Sequence, residues 1–139
     1  MKRFTFMLLL ILATSISFAQ KGQLPSTAND FINIYFPERE IVETVENTSP
    51  HSTYLVEIAP DVTIIFDISG EWQSIETASS TLPTTLLKEN TKSFILTKYN
   101  SLSMIMRIDK IGSKKEITFF DGNRFLFDET GQFEQIIKN

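Results

Sequence analysis

The sequence predicts an α+β domain in which two tandem helix-plus-antiparallel-sheet repeats form one roughly eight-stranded sheet, with the helices on one face. A duplication supports this fold class: the segment Asp67–Ile75 reappears as Asp128–Ile136, with aspartate, glycine, an aromatic residue and isoleucine at matching positions. Both copies follow an apolar strand that ends in phenylalanine, and Leu24-Pro25 and Leu82-Pro83 open the two copies. Two such units fit one shared core better than they fit a long solenoid. We assign the repeats to residues 24–76 and 82–137.

A helix opens the first repeat. The pair Leu24-Pro25 is typical of a helix start, because proline fits the first helical position. Apolar side chains then recur at the spacing of one helical face, namely at Ala28, Phe31, Ile32, Tyr35 and Phe36. Pro37 ends the helix, since its ring disfavours helical geometry in the preceding residue.

Four strands follow this helix, each bounded by turn-forming residues. They are predicted at Glu40–Glu46, Thr53–Ala59, Val62–Phe66 and Glu71–Glu76. Asp67 and Gly70 connect the last two strands, because aspartate can hydrogen-bond the backbone two residues on and glycine can take the left-handed conformation of a short hairpin. Asp128 and Gly131 repeat the pair. We therefore interpret these four residues as structural turns and not as a catalytic carboxylate pair.

The second repeat has the same order with a longer helical region. Pro83–Leu87 predicts a separate turn before a helix over Glu89–Tyr99, whose apolar stripe includes Phe94 and Ile95. Its strands are predicted at Leu102–Asp109, Lys115–Asp121, Asn123–Phe127 and Gln132–Ile137. The link between the repeats, Thr77–Thr81, is short and polar, so the two sheets should join or abut.

Residues 1–19 have the pattern of a secretory signal peptide. Lys2 and Arg3 precede an apolar stretch from Phe4 to Ala13, and a small-x-small cleavage site ends at Ala19. Cleavage near Ala19-Gln20 would leave residues 20–139 as a single periplasmic or secreted domain with no stable membrane anchor. The sequence contains no cysteine, so stability has to come from the apolar core and not from disulfides.

The charge distribution narrows the choice of partner. Residues 20–80 contain ten acidic and two basic side chains, whereas residues 81–139 contain seven acidic and nine basic ones. This acidic balance argues against nucleic acid and anionic membrane as partners. A negative first repeat suits a basic partner, and the alternative is an acidic surface that only keeps the protein soluble.

The sequence lacks the clusters that most enzymes need. It has one histidine and no cysteine, whereas metal catalysis needs grouped ligands. His51 lies in a loop near serines, without the motif of a nucleophile elbow. The five glycines are isolated, so no phosphate-binding loop is present. We therefore predict no cofactor, no metal and no catalytic residues.

Several motifs resemble one known family. Leu24-Pro25, Tyr35-Phe36-Pro37 and Phe66-Asp67-x-x-Gly70-Glu71-Trp72 are similar to motifs of PepSY-like, β-lactamase-inhibitor-protein-like proteins exported by Bacteroidetes-type bacteria. The resemblance covers Leu24 to about Ile137, and the second copy is looser, with Phe133 in place of Trp72. It implies helices on one side of a continuous sheet and no catalytic residues. It also implies a free sheet face, because the namesake inhibitor grips its enzyme with that face.

The strands themselves indicate where a partner would bind. Several are apolar without alternation, although successive strand residues point to opposite faces, as in Tyr54–Val56, Ile64–Phe66, Phe119-Phe120 and Phe125–Phe127. Two helices cover one face only, so apolar side chains should remain on the other face. We predict that this helix-free face binds a protein partner in the cell envelope, through the aromatic candidates Tyr54, Trp72 and Phe120.

Two alternatives stay open at this point. A strongly curved sheet would leave its rim residues half-buried without any partner. A periplasmic carrier or sensor would hold a small apolar ligand between the sheet and the helices. The choice of aromatic residues also depends on strand register, because a slip of one residue moves each side chain to the opposite face.

Overall fold

The computed structural model describes residues 24–47 and 53–138, and these form one eight-stranded antiparallel sheet with two α-helices. Sheet order follows chain order from the first strand to the last. The helices are α1 (Ser26–Tyr35) and α2 (Glu89–Tyr99). The strands are β1 (Ile41–Asn47), β2 (Thr53–Ile58), β3 (Val62–Asp67), β4 (Trp72–Thr77), β5 (Ile105–Ile111), β6 (Lys114–Phe119), β7 (Arg124–Phe127) and β8 (Phe133–Ile136). The predicted signal peptide and His51 lie outside the described residues.

Both helices cover the same face of the sheet, as the sequence predicted. The register aligns one row of buried side chains across six strands: Val56, Ile64, Ile75, Ile108, Ile117 and Phe125. Phe31 of α1 packs edge-on against Phe66, with ring centroids 5.7 Å apart. Phe94 of α2 packs in the same way on Phe125, at 6.0 Å. The α+β class, the single antiparallel sheet and the one-sided helices are therefore confirmed.

Small differences from the predicted boundaries have local causes. Pro25 is the N-cap of α1 and not its first helical residue, and its carbonyl accepts the N–H of Ala28 at 3.0 Å. The start of the strand expected at Leu102 is a 3-10 turn over Leu102–Met104. The Ser101 hydroxyl accepts the N–H of Ser103 at 3.1 Å and caps that turn. A second 3-10 turn, Thr84–Leu86, occupies the segment predicted as a separate turn before α2.

The two Asp-x-x-Gly turns have the same hydrogen bonds. One carboxylate oxygen of Asp67 accepts the Ser69 N–H at 2.9 Å, the Ser69 hydroxyl at 2.6 Å and the Glu71 N–H at 3.0 Å. Asp128 accepts the same three kinds of donor at 2.9, 2.6 and 3.0 Å from Thr130 and Gln132. Each carboxylate is thus used to hold its own turn, which is the geometry expected of a turn former.

These hydrogen bonds also lower the pKa of both carboxyls. Desolvation raises the pKa of Asp67, but hydrogen bonds from the Ser69 hydroxyl and from backbone N–H groups bring it below its ordinary value. The Thr130 hydroxyl is the largest cause of the lowered pKa of Asp128. Both groups are therefore ionised hydrogen-bond acceptors at neutral pH and not proton donors.

The linker between the repeats is held by a third aspartate, Asp61, in the turn between β2 and β3. Its carboxylate accepts the Ser79 N–H at 2.7 Å, the Ser79 hydroxyl at 2.6 Å and the Ser80 hydroxyl. Thr77 donates its hydroxyl to the same group at 3.2 Å. The hydroxyls of Ser79 and then Ser80 are the main reasons that the pKa of Asp61 is lowered to about 2. Asp61 therefore fastens the start of the linker to the turn between β2 and β3.

We expect this contact to weaken at low pH. The folded-state pKa of Asp61, about 2, lies below the ordinary value of 3.8. Its contribution to stability is therefore present above about pH 4 and is lost as the pH falls through about 2. Urea midpoints measured from pH 5 to pH 2 should fall less steeply for Asp61→Asn than for the wild type. Asp30→Asn, an exposed change on α1, is the matched control. Equal slopes for wild type and Asp61→Asn would contradict this role.

Candidate functional site

The face of the sheet opposite the helices carries a second row of side chains. Strand alternation and register place on it Leu55, Ile65, Ser74, Asp109, Glu116 and Leu126. This helix-free face is apolar at β2 and β3, polar at β4, charged at β5 and β6, and apolar again at β7. Neither described helix packs on it. Leu55, Ile65 and Asp109 are half-buried, whereas Ser74, Glu116 and Leu126 are buried among their neighbours.

A depression of about 560 Å³ lies in the middle of the helix-free face. It is open to solvent, and we call it the central depression. Its lining includes Glu76, Met106, Arg107, Asp109, Glu116 and Arg124. These side chains come from β4 to β7, so the centre of the sheet positions them.

The carboxylates of the central depression are paired with guanidinium groups. The Arg107 guanidinium donates to Asp109 at 2.8 Å and lies 3.4 Å from a carboxylate oxygen of Glu76. Arg124 donates from Nε to Glu116 at 2.6 Å. Glu116 is 6% exposed, and a carboxylate so far from water requires a charged partner. The pairs therefore fix both signs of charge in defined positions, which favours selectivity towards a partner more than raw affinity.

A second depression, of about 300 Å³, lies beside β1. Val45, Leu55 and Ile65 supply its apolar walls, and we call it the apolar depression. Val45 is 43% exposed. The helix-free face therefore combines a charged centre with an aliphatic area near one edge.

Two of the three predicted aromatic candidates do not lie on this face, so their predicted placement is wrong. Trp72 is 8% exposed, and its ring centroid lies 6.0 Å from that of Phe31 in α1. Tyr54 is opposite Phe66 in the register and packs against the core. A register irregularity between Ile65 and Phe66 sets Trp72 against Phe66, on the helix side. Sequence alternation alone cannot reveal such a bulge.

The third aromatic candidate, Phe120, is exposed to solvent. Phe120 lies in the turn after β6 and is 39% exposed. A role for Phe120 in binding stays a prediction.

The residues of the central depression were missed at the sequence level, although a signal was present. Charged residues alternate along β5 at Arg107 and Asp109, and this spacing of two places them on one face of a strand.

The space between the helices and the sheet is filled by aromatic rings. Phe94 stacks on Phe133 at 4.4 Å, and Tyr99 stacks on Phe119 at 4.5 Å. A depression at the start of α2 has a volume of about 10 Å³, which is too small for a drug-sized or lipid-like ligand. These observations give the apolar-carrier hypothesis no support from the described residues.

Residues 24–47 and 53–138 contain neither a metal-binding cluster nor a membrane-spanning helix. In this part of the chain, no group of three or more His, Asp or Glu side chains is arranged to hold a metal ion. Neither α1 nor α2 has the length and apolar character needed to cross a bilayer.

Comparison with known families gives one match over more than half of the chain. The family model described as "Putative beta-lactamase-inhibitor-like, PepSY-like" matches residues 52–135. The matched segment begins next to β2 and ends in β8, so it includes most of the sheet and all of α2. No curated protein matches the chain.

Three solved structures with the same fold come from Bacteroides species. A Bacteroides vulgatus protein described as a "putative periplasmic protein of unknown function" is 21% identical, with a TM-score of 0.71 over 84% of this chain and 93% of that chain. A second putative periplasmic protein from this species is 23% identical, with a TM-score of 0.72 and coverage of 86% and 94%. A "putative calcium-regulated periplasmic protein" of Bacteroides thetaiotaomicron is 17% identical, with a TM-score of 0.75 and the same coverage.

Proposed function

The chain belongs to the PepSY-like family, and from this premise we propose that it is an exported, non-catalytic binding module, inhibitor-like in architecture, that docks a protein partner on its helix-free face. The observation that carries the proposal is the composition of that face. A central depression with paired charges adjoins exposed aliphatic side chains, and neither described helix covers them.

The chemistry of the face suits docking better than catalysis. Its carboxylates are engaged by guanidinium groups, as the ion pairs of Asp109 and Glu116 show. A general acid or base needs a titratable group poised near the working pH. The aspartates with lowered pKa, Asp61, Asp67 and Asp128, instead hold turns and the linker. We therefore propose that these polar groups act in recognition and in structure.

We propose that the protein works in the periplasm or outside the cell. The leader pattern of residues 1–19 supports export. The structural neighbours from Bacteroides that share the fold are described as periplasmic proteins, which agrees with this location.

The experiment compares two isoleucine variants on opposite sides of the molecule. Ile111 lines the central depression and is 49% exposed, whereas Ile34 is 69% exposed on α1. Tag-free mature wild type, Ile111→Asp and Ile34→Asp are immobilised and exposed to native envelope extract. We expect a protein that wild type and Ile34→Asp retain and that Ile111→Asp loses, with similar melting temperatures for both variants. Equal capture by the two variants would contradict docking on the helix-free face.

A further inference from the structure

The outer edge of β1 is an unpaired strand edge. β1 is the first strand of the sheet, and β2 is its hydrogen-bonded neighbour. Within the described residues no strand pairs with its other side. Alternate N–H and C=O groups of such a strand point outward and can pair with an added strand. Regular pairing with β2 runs from Glu43 to Asn47, beyond a register shift that follows Ile41. Five regular residues extend over about 17 Å.

The two edge strands, β8 and β1, differ in length. β8 has features of a protected edge, and β1 has features of an edge that can bind another strand. β8, at the far edge, has four residues, and natural sheets commonly use short strands to protect an edge. β1 has seven residues and no proline. It also exposes three aliphatic side chains, Ile41, Val42 and Val45. A long exposed edge with aliphatic side chains is a template for strand addition.

The side chains of β1 would be the cross-strand neighbours of an added strand. Glu43 and Val45 lie on the helix-free face, opposite Glu57 and Leu55 of β2. Glu46 lies on the other face, opposite Tyr54. Val45 also forms a wall of the apolar depression. An added strand would therefore place one apolar side chain beside Val45 and other side chains beside the two glutamates.

The negative charge on this edge indicates that the partner segment carries positive charge. Glu43 and Glu57 form a like-charged cross-strand pair, an arrangement that destabilises a sheet. Within the described residues neither carboxylate has an ion pair. The nearest basic residue in sequence, Arg39, lies over the Phe36 ring at 5.7 Å. A second copy of β1 would bring further glutamates to the same edge, so charge disfavours pairing of two copies. A basic segment would relieve the repulsion.

We propose that the outer edge of β1 binds an extended basic segment of the partner protein as an added strand, with an apolar side chain at Val45 and Lys or Arg beside Glu43 and Glu46. The inference rests on the proposed function, because the apolar depression belongs to the helix-free face. It adds the chemical class of the partner and the mode of binding.

The probe is the blocked peptide Thr-Lys-Val-Thr-Lys-Thr, which in antiparallel pairing places its valine beside Val45 and its two lysines beside Glu46 and Glu43. We call it the lysine–valine peptide, and the glutamate–valine peptide carries glutamate in place of both lysines. Binding is followed by amide NMR on the mature protein. We expect saturable shifts and slower amide exchange at Glu43–Asn47, and no binding of the glutamate–valine peptide. In the variant Glu43→Lys with Glu46→Lys, affinity for the lysine–valine peptide should fall at least about tenfold, and the glutamate–valine peptide should bind instead. The control, Glu71→Lys with Glu129→Lys, changes the net charge equally at two exposed turn residues and should keep wild-type affinity.

Three results would each overturn the inference. The first is equal loss of affinity in the control variant. The second is unchanged binding of a lysine–valine peptide whose amides are N-methylated, since that peptide cannot donate hydrogen bonds to the edge. The third is the absence of peptide shifts at β1. The Ile111→Asp capture experiment is independent of the peptide, so failure of the edge inference is distinguishable from failure of the proposed function.

Discussion

Replacing Gly70 by valine should destabilise the fold by about 3–5 kcal/mol, because two separate costs combine there. Gly70 has φ of 89°, in the left-handed region that a β-branched residue resists. A Cβ at this position would also lie 2.9 Å from the backbone nitrogen of Ala28 and 2.9 Å from Cβ of Pro25. The turn after β3 therefore packs directly on the start of α1, and a side chain there would push the helix away.

Gly122 is the matched control, since it shares the dihedral angle but not the contact. Its φ is also 89°, and no atom lies within 4 Å of an added Cβ. Gly122→Val should therefore cost only the backbone strain, about 1–3 kcal/mol. Urea unfolding of both variants separates the two costs, and Gly70→Ala against Gly122→Ala serves if Gly70→Val does not fold. Equal destabilisation at the two sites would show that the close approach to α1 does not contribute to the free energy of unfolding.

Trp72→Ala should be the other severely destabilising change, at about 3–5 kcal/mol, the usual cost of removing a buried aromatic side chain. Trp72 is 8% exposed and contacts Phe31 of α1 on one side of its ring system. The Lys110 ammonium lies 4.3 Å from the Trp72 ring, in cation–π contact. Truncation would leave a cavity between α1 and the sheet and would remove the ring that Lys110 contacts.

Phe120→Ala is the comparison for Trp72→Ala, because the sequence suggested a binding role for both residues. Phe120 is 39% exposed, so its truncation should cost about 1 kcal/mol or less. Thermal or urea unfolding of the two variants measures the difference. A Trp72→Ala protein as stable as Phe120→Ala would contradict the buried position of the indole. Trp72 would then again be a candidate for the binding surface.

The local patterns of the chain predicted most of the architecture. The α2 boundaries, Glu89 and Tyr99, are as predicted, and the strands agree within a few residues. Helical periodicity, prolines at helix ends and the Asp-x-x-Gly pairs act over a few neighbouring residues, so they can be read without the fold. The structure added that Gly70 and Gly131 also contact helix starts, at Pro25–Ala28 and at Lys88–Thr91. Those contacts join segments more than thirty residues apart, and no local pattern encodes them.

The sequence by itself determined the fold class, the one-sided helices and the turns, because each depends on period, on conformational preference or on a repeated motif. Only the tertiary structure decided which side chains lie on the helix-free face. A single register irregularity, between the pairs Ile65–Ser74 and Phe66–Trp72, set that indole on the helix side. The pairing of β4 with β5 brought Glu76 of the first repeat to Arg107 of the second. Strand register is set by packing across the whole sheet, and one residue of shift exchanges the two faces. The candidate surface therefore followed from the three-dimensional pairing and not from residue type.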